Sequence, residues 1–135
     1  MRKLCCAIFL MLIGASSANA QRADLFQDPA VMELVEEALI ADLMARSCER
    51  VRGSEDGVAA MTERADNLAR AAGYEPDEAY AFFSTPENLP RVEAGATSRL
   101  ARMGARPDDL TSLCRLAQSV AGRGGVLGAL LLPRF

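Results

Sequence analysis

Cys48 and Cys114 are the residues in the body of the chain best suited to covalent chemistry. A thiol can attack a substrate, hold a metal, shuttle electrons or close a disulfide. Nucleophilic attack needs a neighbouring base, and the usual one is missing because the chain contains no histidine. A zinc site asks for about four ligands, and two cysteines without histidine fall short. The Cys-x-x-Cys spacing of redox enzymes is absent as well. A structural disulfide remains, the simplest fate of an even pair in an exported chain. Closing the loop from residue 48 to residue 114 is worth ~4 kcal/mol in the chain-entropy model.

Carboxylates offer the next candidate chemistry. Glu33, Glu36 and Glu37 fall on one helical turn, as metal-binding carboxylates do in di-iron bundles. Those bundles also need Glu-x-x-His on facing helices, so the three glutamates read as a solvated acidic turn. "RGSEDGVAAMTE" puts Gly57 and Glu63 where a calcium loop wants Gly and Glu, but Arg52 and Ser54 occupy slots that call for Asp. The sequence therefore predicts neither metal nor cofactor. A net charge of −3 without a basic run argues against nucleic acid as partner.

Binding surfaces are the remaining possibility. Tyr74, Tyr80, Phe82 and Phe83 crowd together and read as a hydrophobic elbow between two helices, with Tyr80 off the inward face. The C-terminal "VLGALLLPRF" follows a segment with no acid after Asp109, so residues 110–135 carry +3 against −8 for residues 21–109. This piece reads as a final core helix, with contact to a membrane surface or partner through residues 126–135 as the competing role. The candidate contact residues are Tyr80, Phe82, Phe83, Val126, Leu127, Leu130 and Leu131.

Helices must position all of these groups. Asp28-Pro29 opens the first, whose apolar positions run from Val31 through Leu34, Val35, Ala38 and Leu39 toward Met44 and Cys48, with Gly53 as its stop. Ser54 caps a second helix carrying Val58, Met61, Ala65, Leu68 and Ala72 at helical spacing, closed by Gly73 and Tyr74. Glu75-Pro76 starts a short third helix, with Ala79, Phe82 and Phe83 inward. A fourth begins near Leu89 and holds Val92, Ala96, Leu100 and Met103. Pro107-Asp108-Asp109 opens a fifth, with Leu110, Leu113, Cys114 and Ala117 on one face. No β-branched alternating run predicts a strand. The expected fold is all-α, a small bundle of five to six helices with one disulfide joining the first helix to the fifth.

The N-terminus predicts the compartment. Arg2 and Lys3 precede an apolar run from Leu4 to Ile13, and small residues follow, ending in Ala18-Asn19-Ala20. This is the build of a secretory signal peptide. The run falls short of the ~20 residues that cross a bilayer. Cleavage after Ala20 would leave a single helical domain of residues 21–135, and the short leader suits the Gram-negative periplasm.

The layout resembles a family of short exported bacterial proteins of unknown function. The shared features are the leader, Cys48 after the first helix, Ala72-Gly73-Tyr74, Ala81-Phe82-Phe83, Cys114, and Gly128-Ala129-Leu130-Leu131 near the C-terminus. The resemblance spans most of residues 30–132. It implies the helical fold, the disulfide and export, and brings no catalytic or binding residue with it.

Two functions follow as expectations. One is a non-catalytic periplasmic interaction or accessory protein. The other is a small-ligand or lipid carrier with a pocket lined by Met61, Phe82, Phe83, Leu100 and the C-terminal leucines. A cavity above ~300 Å³ favours the carrier; an exposed apolar strip along residues 126–132 favours the partner protein.

Overall fold

Asp28 sets the start of helix α1 (Pro29–Ser47), because its carboxylate accepts the N–H groups of Ala30 at 3.0 Å and Val31 at 3.3 Å. The computed structural model describes residues 22–135, so the leader and the cleavage point after Ala20 lie outside the described residues. A 3₁₀ turn at Leu25–Gln27 precedes α1. After it come β1 (Val51–Gly53), α2 (Glu55–Ala71), α3 (Pro76–Phe83) and α4 (Leu89–Arg102). The order ends with α5 (Leu110–Val120), α6 (Val126–Leu130) and β2 (Leu131–Pro133). The fold is predominantly helical, as the sequence predicts.

Polar side chains mark the helix starts. Ser54 Oγ accepts the Gly57 N–H at 3.0 Å, and Asp109 accepts those of Thr111 and Ser112 at 3.1 and 3.2 Å. Glu78 reaches back to the Glu75 N–H at 3.0 Å.

Three expectations need correction. The first helix ends at Ser47 and not at Gly53, because Cys48 turns extended and the chain pairs elsewhere. Residues 51–53 form β1, antiparallel to β2, with Val51 opposite Pro133 and Gly53 opposite Leu131. The pair is anchored by Ser54 N–H donating to the Leu130 carbonyl at 2.9 Å and Arg134 N–H to that of Arg50 at 2.8 Å. Accordingly the C-terminal segment is a five-residue helix followed by a strand. Finally, Glu36 and Glu37 are not a solvated face. Glu36 is buried and meets Arg99 of α4 at 2.8 Å; Glu37 meets Arg99 at 3.4 Å and accepts the Leu127 N–H at 2.8 Å. These carboxylates tie α1 to α4 and to the start of α6.

α1 lies at the centre, against α2, α4, α5, α6, β1 and the 3₁₀ turn. It is apolar around most of its circumference, the mark of a helix surrounded by others. Its C-terminal half enters the main core with Leu100, Leu113, Ala117, Leu127, Leu130 and Leu131. Its N-terminal half meets a second cluster built on Leu25, Val31, Phe83 and Val92. The disulfide Cys48–Cys114 joins the end of α1 to α5, with Cα atoms 5.3 Å apart.

Candidate functional site

α2 packs along α1 and is fastened at both ends by contacts with other segments. At its start, Gly57 lies so near the Ala129 carbonyl of α6 that a Cβ there would collide with backbone. At its end, the Ala23 N–H donates to the Ala72 carbonyl at 3.3 Å, and Tyr74 Oη donates to the Ala23 carbonyl at 3.1 Å. The residues that face inward along the middle of α2 are small or slender: Met61, Ala65, Leu68 and Ala69. A helix fixed at its ends with such a face leaves space beneath it.

The space is a cleft of about 560 Å³, partly open to solvent. α1 lines one wall with Val31, Leu34, Val35, Ala38, Leu39 and Asp42. α2 supplies Met61, Thr62, Ala65, Asp66, Leu68 and Ala69. α3 closes the end with Pro76, Ala79, Tyr80 and Phe83, and Ser84, Leu89, Val92 and Leu25 complete it. The lining is overwhelmingly apolar, and the volume lies within the ~300–1,000 Å³ of small-molecule sites. A second recess of about 300 Å³ lies between Glu33, Arg64, Val126 and Leu130, with Leu34 and Met61 common to both.

Four aromatic rings brace the closed end. Phe26, Phe82 and Phe83 pack with centroids 5.2 to 5.5 Å apart, and Tyr74 reaches Phe82 at 6.4 Å. Two of these contacts, Phe26–Phe83 and Phe82–Phe83, are edge-to-face, a geometry that aromatic pairs favour. Arg91 lies over the Phe26 ring at 3.7 Å, in a cation–π contact. The elbow expected between α2 and α3 is therefore present, with Phe26 as a member that the sequence reading did not include.

The structure divides the candidate contact residues. Tyr80 and Phe83 line the cleft together with Met61. Phe82 sits in the aromatic brace beside it. Leu100, Leu127 and Leu131 are buried in the main core and line neither space, while Leu130, also in that core, and Val126 line the second recess and not the cleft. Between residues 126 and 132, Val126 and Leu132 are half-buried and only Ala129 is exposed, so the segment presents no continuous apolar strip. Among the described residues no helix is long and apolar enough to cross a membrane. Among the same residues, no three His, Cys, Asp or Glu side chains are grouped to hold a metal.

Sequence reasoning missed the α1 wall of the cleft. The signal was present: Leu34, Val35, Ala38 and Leu39 continue the apolar character of α1 beyond the face that carries Ile40, Met44 and Cys48. One helix with two apolar faces must cover both, and the second face covers a cavity.

A family model described as a family of unknown function (DUF5333) matches residues 23–132. No curated protein and no solved structure matches the chain.

Proposed function

The chain belongs to that family of unknown function, DUF5333, and from its geometry we propose that it is a non-catalytic binding protein for a small apolar ligand. The observation that carries this reading is the cleft of about 560 Å³ beneath α2. A packed domain of this size normally closes such apolar space, because unfilled voids forfeit dispersion contacts. Here Gly57 and the Ala23–Ala72–Tyr74 contacts fix α2 at both ends, so the cleft is built into the framework.

Export to the periplasm is part of the same proposal. The leader sequence and the Cys48–Cys114 bridge both suit an oxidising compartment. An accessory role in that compartment would consist of holding or delivering the ligand.

Nile red, a neutral dye that brightens in apolar surroundings, tests the proposal. The protein should give a saturable rise in fluorescence at one dye per chain. Ala65→Trp should fill the cleft and abolish the rise while the far-ultraviolet circular dichroism stays helical. No rise, or equal binding by the folded variant, would overturn the reading.

A further inference from the structure

We propose that the ligand of the cleft is an amphiphilic cation, an apolar body bearing one ammonium group whose charge is met by Asp66. The proposal rests on the reading of the cleft as a ligand site and adds the chemical class of its occupant.

The charge pattern of the lining carries the argument. Among the described residues, the ionised side chains that line the cleft are Asp42 and Asp66, both acidic, and no arginine lines it. The two carboxylates differ in what already occupies them. Asp42 is paired with Arg46 at 2.7 Å on the exposed side of α1. Asp66 is half-buried and enters no ion pair among the described residues. An anionic head group would meet two like charges and no cation. A neutral head group would leave Asp66 as it is. A cationic head group would gain a charge-assisted partner in surroundings less polar than water, where the attraction is stronger than in bulk solvent.

Tyr80 adds a second feature of the same kind. Tyr80 lines the cleft yet is 77% exposed, the most exposed aromatic residue in α3. An aromatic face in a cleft that also holds a carboxylate suits an ammonium group, which the ring attracts through its quadrupole. The apolar walls from α1 and α2 then receive the body of the molecule.

Isothermal titration calorimetry with decylammonium, decanol and decanoate at neutral pH, each below its micelle or solubility limit, tests the proposal on the intact protein. The three share one chain and differ in head-group charge. The cation should bind about tenfold tighter than decanol, the size of one charge-assisted contact, with decanoate weakest. Added salt should weaken the cation's binding and leave that of decanol unchanged. Asp66→Asn should bring the cation to the affinity of decanol without altering decanol, and Asp66→Glu should restore the preference. Decanol or decanoate binding as tightly as the cation would overturn this proposal while leaving the apolar-ligand reading standing. So would an Asp66→Asn protein that keeps the preference. Failure of all three ligands would overturn both. Should Asp66→Asn fail to fold, the ranking of the three ligands on the unmodified protein decides alone.

Discussion

Arg99 of α4 donates to the carboxylate of Glu36 at 2.8 Å, at a place where Glu36 is only 8% exposed. Gly95, one turn earlier on α4, makes the approach possible, since a Cβ there would collide with the Glu36 carboxylate. A buried charge is costly without its partner, whereas the intact pair contributes little beyond a packed apolar substitute. Arg99→Met should therefore lower unfolding stability by about 3 kcal/mol. The double variant Arg99→Met/Glu36→Gln should recover much of that loss. By contrast Arg46→Ala, which removes the exposed pair with Asp42, should change stability by less than about 1 kcal/mol. Urea unfolding of the four proteins measures all three differences.

The helix registers were legible in the sequence because caps and apolar spacing agree. Asp28-Pro29, Ser54 and Asp109 mark the starts where the structure has them. The disulfide followed from counting cysteines. The β pair was not legible: three-residue strands carry no alternating run, and their pairing is set by the main core and by where Leu130 places its carbonyl. The ion-pair web was hidden for a related reason, since Arg99 lies sixty-three residues from Glu36. The cleft was half legible. Met61 and Phe83 were identified, but the span between the two fastened ends of α2 depends on Gly57 and Ala129 meeting in space.

The C-terminal segment belongs to the core. Leu127, Leu130 and Leu131 are buried, and β2 satisfies the edge of β1. Full burial of each such side chain is worth roughly 1.5–3 kcal/mol, and whole domains are stable by only about 5–15 kcal/mol. A protein ending at Gly125 should lose its cooperative thermal transition. Circular dichroism checks this, and an unchanged melting temperature would place the segment outside the core.

The bridge between Cys48 and Cys114 should leave neither thiol open to alkylation in the oxidised protein, as mass spectrometry can show. The Cys48→Ala/Cys114→Ala protein should be less stable by ~4 kcal/mol in the chain-entropy model. Equal stability of the two forms in denaturant would contradict it.

Acid should weaken two helix starts. The N–H of Ser112 above all, with its hydroxyl and the N–H of Thr111, holds the Asp109 carboxyl below its ordinary 3.8. The N–H of Glu75, then Arg22, holds Glu78 below 4.5. A carboxyl with a lowered folded-state value stabilises the fold above its unfolded value and loses that contribution as pH falls through the folded one. The melting temperature should therefore fall as the pH drops from about 5 toward about 2. Asp109→Asn, which keeps a capping oxygen without a titrating charge, should flatten the decline; an unaltered slope would contradict the assignment.

Methyl NMR of the labelled protein during titration with decanol tests the ligand site most directly. The methyls of Met61, Leu68 and Val92, which line the cleft, should shift and saturate together at one ligand per chain. Those of Leu113 and Leu131, sealed in the main core, should stay in place. Absence of any shift, or shifts confined to Val126 and the C-terminal residues, would contradict a ligand site beneath α2.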